Sequence, residues 1–462
     1  MNAMAIGAYP TSMLSQEAHA LLTRLARVRP FALVEPMVPA ANLLPAAQMA
    51  IDTHLISGRR ELRRMVRAFI AWLHGPAAGR ATAAEAQRRF TYLRLKFNAV
   101  LTQFDLFNDV ITQRSESESG VWLSGLDVVS ADALSLPGAY YEAPPIVCYL
   151  DRGPGAAIRR ARTRLPGGGE NPVAVIRVPR ERMIGSGIAS SLVHEVGHQA
   201  AALLDLVASL RPVLRGLQHG AGPNALGWQL LERWLSEIVA DFWSVARIGI
   251  AAPLGLIAVV SLPRAFVFRL NVDDPHPVPW IRVKLSCAMG EALYPHPQWG
   301  RLAALWEAFY PPRGLDAGSL RLLERLQAIL PAFVTVLAEH RPAALRGRTL
   351  TQALRVGERQ PARLMALYRL WCRAPERMYD APPTLVFAVI GQARSDDRLS
   401  PQDEAVLLGR LLTHWALAST LDTSSACAAA TGAGRAGQTP DLFHPDRRST
   451  PTQGERHEHA IR

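Results

Sequence analysis

The stretch that most constrains this chain is Ser191-Leu192-Val193-His194-Glu195-Val196-Gly197-His198-Gln199-Ala200. It is a proline-free, largely apolar run, and its spacing predicts a buried helix. On a helix, side chains four residues apart stand on one face, so the imidazoles of His194 and His198 project together. Two imidazoles placed this way have the geometry to grip one Zn²⁺. Glu195 sits about 100° round the helix, within reach of a metal-bound water. A pattern this short arises by accident in roughly one chain in sixty of this composition. Two histidines packed in a core are the bland alternative, so the rest of the sequence has to decide.

A catalytic zinc takes three protein ligands and keeps one position open for water. The arrangement with Gly and a third His three and six residues after the second His is excluded, because those positions hold Ala201 and Leu204. The next long helical pattern, about Ala225 to Ile250, contains Trp234-Leu235-Ser236-Glu237-Ile238-Val239-Ala240-Asp241-Phe242-Trp243. At helical spacing Glu237 and Asp241 fall on or beside the apolar stripe of Leu230, Trp234, Ile238, Phe242 and Val245. Burying a carboxylate without a partner is costly. A zinc ion for Glu237 and a histidine ring N–H for Asp241 would satisfy both. An exposed acidic face near Arg233 or Arg247 is the competing account. His219, in a Gly-rich stretch expected to be a loop, is the second choice of ligand.

His-Glu-x-x-His followed by Glu-x-x-x-Asp resembles the gluzincin, thermolysin-like class of zinc metallopeptidases, over residues of about 173 to 285. The resemblance implies that His194, His198 and Glu237 bind zinc, that Glu195 is the general base, and that Asp241 orients a ligand histidine. It departs from the class in the 38 residues between His198 and Glu237, which read as an insertion. Downstream, Asp274-Pro275-His276-Pro277-Val278-Pro279-Trp280-Ile281-Arg282 is similar to a His-Pro…Arg element of bacterial metallopeptidases. It makes His276 the candidate donor to the developing oxyanion, with Arg282 pairing Asp241 or a substrate carbonyl. A second such string, with His296 and Arg301, competes with it.

Taken in order, residues 1–50 carry several prolines and are expected to form short helices or an irregular wrap. Amphipathic helices are predicted over about Ile51–His74 and Thr82–Thr112. β-like runs at Pro145–Leu150 and Val173–Val178 flank a Gly-rich turn at Pro166–Glu170. The second run, just before the His194 helix, is placed as the edge strand that would pair with substrate backbone. Beyond Ile250 further helices are expected. The tail from Thr423 is rich in Ala, Gly, Ser, Thr and Pro and is expected to be disordered. The fold class is therefore mostly α with a small β-sheet (α+β). A zincin-like core over 121–315 is flanked by helical regions over 1–120 and 316–422, with the tail at 423–462.

The net charge of +12 rests almost wholly on arginine, lysine occurring only at Lys96 and Lys284. The arginines are dispersed and form no recognisable nucleic-acid module, so no specific nucleic-acid partner is expected. Four cysteines without a CxxC spacing fit reduced thiols. Neither a secretory signal nor a membrane span is evident, the apolar window Ile248–Leu262 being too short, which implies a cytoplasmic protein. The expected function is zinc-dependent hydrolysis of a peptide or protein substrate. The alternatives are a catalytically silent zincin-like scaffold or binding protein, and an Arg-rich protein that binds nucleic acid or a membrane surface.

Overall fold

A computed structural model describes residues 6–153, 155–180, 187–271 and 273–435. It is mostly helical, with one small three-stranded sheet. Four helices come first: α1 (Ala8–Arg27), α2 (Pro45–Leu73), α3 (Ala83–Thr112) and α4 (Ser117–Leu134). The start of α3 is fixed by a capping box in which the Thr82 hydroxyl accepts from Glu85 N and the Glu85 carboxylate accepts from Thr82 N. α1 corrects the expectation of short or irregular structure before residue 50. Leu14, Ala18, Leu21 and Leu25 recur at helical spacing and are buried, Pro10 sits in the first turn where its missing N–H costs little, and Pro30, Pro36, Pro39 and Pro45 fall after the helix ends.

The sheet has β1 (Ile146–Asp151) parallel to β3 (Ala174–Pro179), with β2 (Ala157–Arg159) antiparallel on the other side of β3. The run Val173–Val178, expected at an edge, is thus the central strand. Its near-continuous apolar character is what a strand buried on both faces requires. Both β1 and β2 are edges, but side chains take up backbone groups of β1, Gln113 pairing with Leu150 N and O, Asp127 accepting from Cys148 N and Arg114 donating to Cys148 O, so the edge left open is that of β2. Alternation sends Ile146, Cys148, Leu150, Ala174, Ile176 and Val178 into the main core, and Val147, Val173 and Val175 into the core of the N-terminal helices.

The main core is built on α5 (Gly187–Leu203), which carries the His-Glu-x-x-His stretch. The spacer after it is helical, not a loop. It consists of α6 (Leu206–Gly220), which tolerates Pro212 inside, and α7 (Ala225–Arg233), packed on each other. The long helix expected over 225–250 is broken at Trp234, where α8 (Leu235–Ile248) begins. The Trp234 indole N–H donates to Asp274 O at 3.2 Å, tying the break to the Pro-rich segment. Gly249, at φ 56°, ends α8.

The apolar window forms α9 (Ala251–Val260), which lies against α5, and the single turn α10 (Arg264–Val267) follows. Among the described residues no helix is long and apolar enough to cross a membrane. Next come α11 (Pro279–Leu293), α12 (Gln298–Phe309) and α13 (Ala317–Glu339), which runs unbroken through Pro331. The rest is α14 (Leu350–Ala353), α15 (Pro361–Arg373), α16 (Glu376–Tyr379), α17 (Pro383–Ser395) and α18 (Pro401–Arg435).

α17 packs on α4, α8 and α9, and the expected divisions near residues 120 and 315 both lie within one compact unit, Met1–Thr420. α18 continues to Arg435, so the segment 423–435 is helical where a disordered tail was expected. Residues 436–462 of that expected tail lie outside the described residues. Cys148, Cys287 and Cys372 carry free thiols.

Candidate metal centre

α5 and α8 cross closely because Gly197 has no side chain. A Cβ there would lie 2.9 Å from Ala240 Cα and 3.0 Å from Ala240 O. Gly255 on α9 plays the same part on the other flank, where a Cβ would meet Ser190 Cβ at 2.3 Å. The helix bearing the two histidines is thereby clasped between α8 and α9. The break at Trp234 puts Glu237 in the first turn of α8, where the helix dipole favours a carboxylate.

The result is a cluster of ligand atoms from His194, His198 and Glu237, all within 4.8 Å of one another. His194 Nε2 lies 3.3 Å from Glu237 Oε2, and His198 Nε2 lies 3.4 Å from Glu237 Oε1. A tetrahedral ion with donor distances of about 2.1 Å has donor–donor edges of about 3.4 Å. Two imidazoles and a carboxylate suit a small tetrahedral cation in chemistry, and the two His-to-Glu separations are close to that edge length. The rings of His194 and His198 stand 4.8 Å apart and nearly perpendicular, at 86°.

Behind the donors is a buried charged layer. Asp241 Oδ1 lies 2.8 Å from His194 Nδ1, although the ring N–H is not aimed squarely at it. Arg282 donates Nε to Asp241 Oδ2 at 2.7 Å and Nη2 to Asp241 Oδ1 at 2.9 Å, a forked pair. Its Nη2 also comes within 3.4 Å of both Glu237 Oε2 and His194 Nε2. Burial alone would raise the Asp241 carboxyl, but the Arg282 and His194 charges hold it down at about 2. Burial likewise opposes ionisation of Glu237, yet hydrogen bonds from His194 and His198 keep it far below the usual carboxylate range. Burial favours neutral His194, but the Asp241 charge outweighs it and lifts the imidazole to about 9.

These groups line a cavity of about 460 Å³. Glu195 lines it too, and its carboxylate has no hydrogen bond or ion pair among the described residues. His276 stands at the rim, with Nδ1 held by Asp274 at 2.8 Å and Nε2 3.7 Å from Glu237 Oε2. Arg282 is committed to Asp241, the first of its two expected partners. His296 does not line the cavity, and its Nδ1 accepts from Gln298 N at the start of α12. His219 is exposed in the last turn of α6, away from the donor cluster.

Three contributors escaped the sequence reading. Ser236 Oγ sits 3.4 Å from His198 Nδ1, Asp274 orients His276, and β2 with its flanking Gly155 and Ala156 forms one wall of the cavity. Ser236 was legible only as the neighbour of Glu237. β2 was hidden by its brevity. Compared with protein-family models, curated proteins and solved structures, the chain matches none of them.

Proposed function

We propose that this chain is a metal-dependent hydrolase and, more narrowly, a zinc metallopeptidase of the gluzincin type, with a zincin-like core. The observation that carries this reading is the convergence of two imidazole nitrogens and a carboxylate beside the uncommitted carboxylate of Glu195, in one cavity. A silent scaffold has no need of that last group. Zinc bound there would supply an activated water and polarise a carbonyl.

His194, His198 and Glu237 are the residues that would hold the ion. Asp241, fixed by Arg282, keeps the His194 ring oriented with Nε2 toward the cavity. Glu195 takes a proton from water and returns it to the leaving amine. His276, steadied by Asp274, is placed to donate to the oxyanion from the rim. The open edge of β2 lies along the cavity and offers backbone groups to an extended peptide, the part first assigned to Val173–Val178.

Glu195→Gln tests the reading. The variant is expected to retain zinc at wild-type stoichiometry and to lose cleavage of an unfolded protein substrate. Wild-type turnover by that variant would remove Glu195 from the chemistry. Chelator-insensitive cleavage by the wild type would remove the metal.

A further inference from the structure

The segment that carries β2 and β3 is strongly basic. Residues 151–180 contain seven arginines against two carboxylates, Asp151 and Glu170. Arg159 ends β2 and Arg160 follows it. Both side chains are exposed, and neither has a hydrogen bond or ion pair among the described residues. The other basic side chains of the cavity have carboxylate neighbours: His194, His198 and Arg282 have Glu237 and Asp241, and His276 has Asp274. Arg160 lines the same cavity and is answered by nothing.

The strand register gives these arginines a direction. Ala157 lies opposite Arg177 and Arg159 opposite Val175. Residues two apart share a face, so Arg159 stands on the face of Ala157 and Arg177. Ile158 turns to the other face, and Arg160, one residue past the end of the strand, lines the cavity while Arg159 does not. A peptide laid along the open edge of β2 sends successive side chains to alternate faces. Carboxylates at neighbouring positions would therefore meet Arg159 on one face and Arg160 on the other, forming charge-assisted bonds. A nucleic acid would find no such match. Apart from histidine, no aromatic ring among the described residues lines the cavity to stack a base.

We propose that the cleft selects acidic polypeptide segments, their carboxylates being taken by Arg159 and Arg160 on the two faces of the edge strand β2. This rests on the peptidase reading and names its substrate class.

The test uses the zinc-loaded full chain and two fluorogenic peptides that differ only by Glu→Gln replacements flanking the cleaved bond. The Glu peptide is expected to show kcat/KM about tenfold above its Gln twin at low ionic strength, the margin shrinking as salt screens the pairs. Arg159→Gln with Arg160→Gln should erase the preference, bringing kcat/KM of the Glu peptide down to that of the Gln peptide, and Arg160→Glu should favour a Lys-substituted peptide. Equal turnover of the two peptides by the wild type, or an unchanged preference in the double variant, overturns the proposal.

Fluorescence anisotropy of the labelled peptides on the Glu195→Gln protein separates the two readings. If neither peptide is cut, the peptidase reading fails, while equal binding of the Glu and Gln peptides overturns the acidic selectivity by itself. Displacement of the Glu peptide by a single-stranded oligonucleotide at lower concentration than by unlabelled Glu peptide also overturns it, in favour of a nucleic-acid partner.

Discussion

Replacing Gly197 by alanine tests whether the approach of α5 to α8 sets the spacing of the donors. The new methyl carbon would lie 2.9 Å from Ala240 Cα, 3.0 Å from Ala240 O and 3.0 Å from Trp243 Cβ, where ordinary contact is 3.4–4 Å. Two of these neighbours are backbone and the third is the root of a fully buried tryptophan, so no side chain can swing away. The helices must part by roughly half an ångström, and overpacking of this kind costs about 1–3 kcal/mol. The same displacement carries Glu237 and Asp241 together away from His194 and His198, opening edges now at 3.3 and 3.4 Å.

Zinc affinity, measured by competition with a chromophoric chelator, is expected to fall about 10- to 100-fold, as it does when ligand orientation is lost. The thermal midpoint should drop as well. Gly216→Ala is the control: a Cβ there meets nothing within 4 Å, and the site is an exposed turn of α6. That change is expected to leave zinc binding untouched and to add about 0.5–1 kcal/mol of stability. Wild-type zinc affinity and melting in Gly197→Ala would refute the link between helix approach and donor spacing.

Asp241→Asn leaves the Arg282 guanidinium buried with only the more distant Glu237 as counter-ion, and breaking a buried pair in this way costs about 3–5 kcal/mol. Denaturant midpoints check that cost, and Zn²⁺ affinity should fall alongside it. The pH dependence follows from His194, whose pKa is raised from 6.5 to about 9 in the metal-free protein. The ion must displace that proton, so affinity should decline about tenfold per pH unit below 9, and calorimetry in two buffers at pH 7 should detect release of about one proton. No proton release would contradict the His194–Asp241 coupling. The sign for stability is the reverse: the metal-free fold gains from the raised pKa fully below pH 6.5 and loses that gain as pH rises through 9.

Much of the candidate site could be read from the sequence because its ligands sit at fixed helical intervals. His194 and His198 share a helix face, and the conflict of Glu237 and Asp241 with an apolar stripe pointed to a cation. What could not be read depends on contacts between distant segments. Trp234 looks like one more member of a stripe, yet its indole reaches Asp274 and the helix breaks there. β2 is three residues long, too short for alternation to register, and exists as a strand only through its pairing with β3. Val173–Val178 was recognised as a strand but put at the wrong place in the sheet, because an apolar run states burial on both faces and not the identity of its neighbours. The spacer holding α6 and α7 has three glycines and two prolines among residues 212–223, a loop-like composition overridden by the packing of Leu206, Leu210 and Leu214.

The two-faced sheet bears on how the molecule can be divided. Its strands are a partition one residue thick, with Val147, Val173 and Val175 set in the core of the N-terminal helices and their neighbours Cys148, Ala174 and Ile176 set in the core around α5 and α8. A shortened protein beginning after α3 would strip one side of that partition, exposing three valines and loosening the support of β2. The helices α1 to α3 therefore back the wall of the cleft, and a minimal folded fragment that keeps the candidate site has to include them.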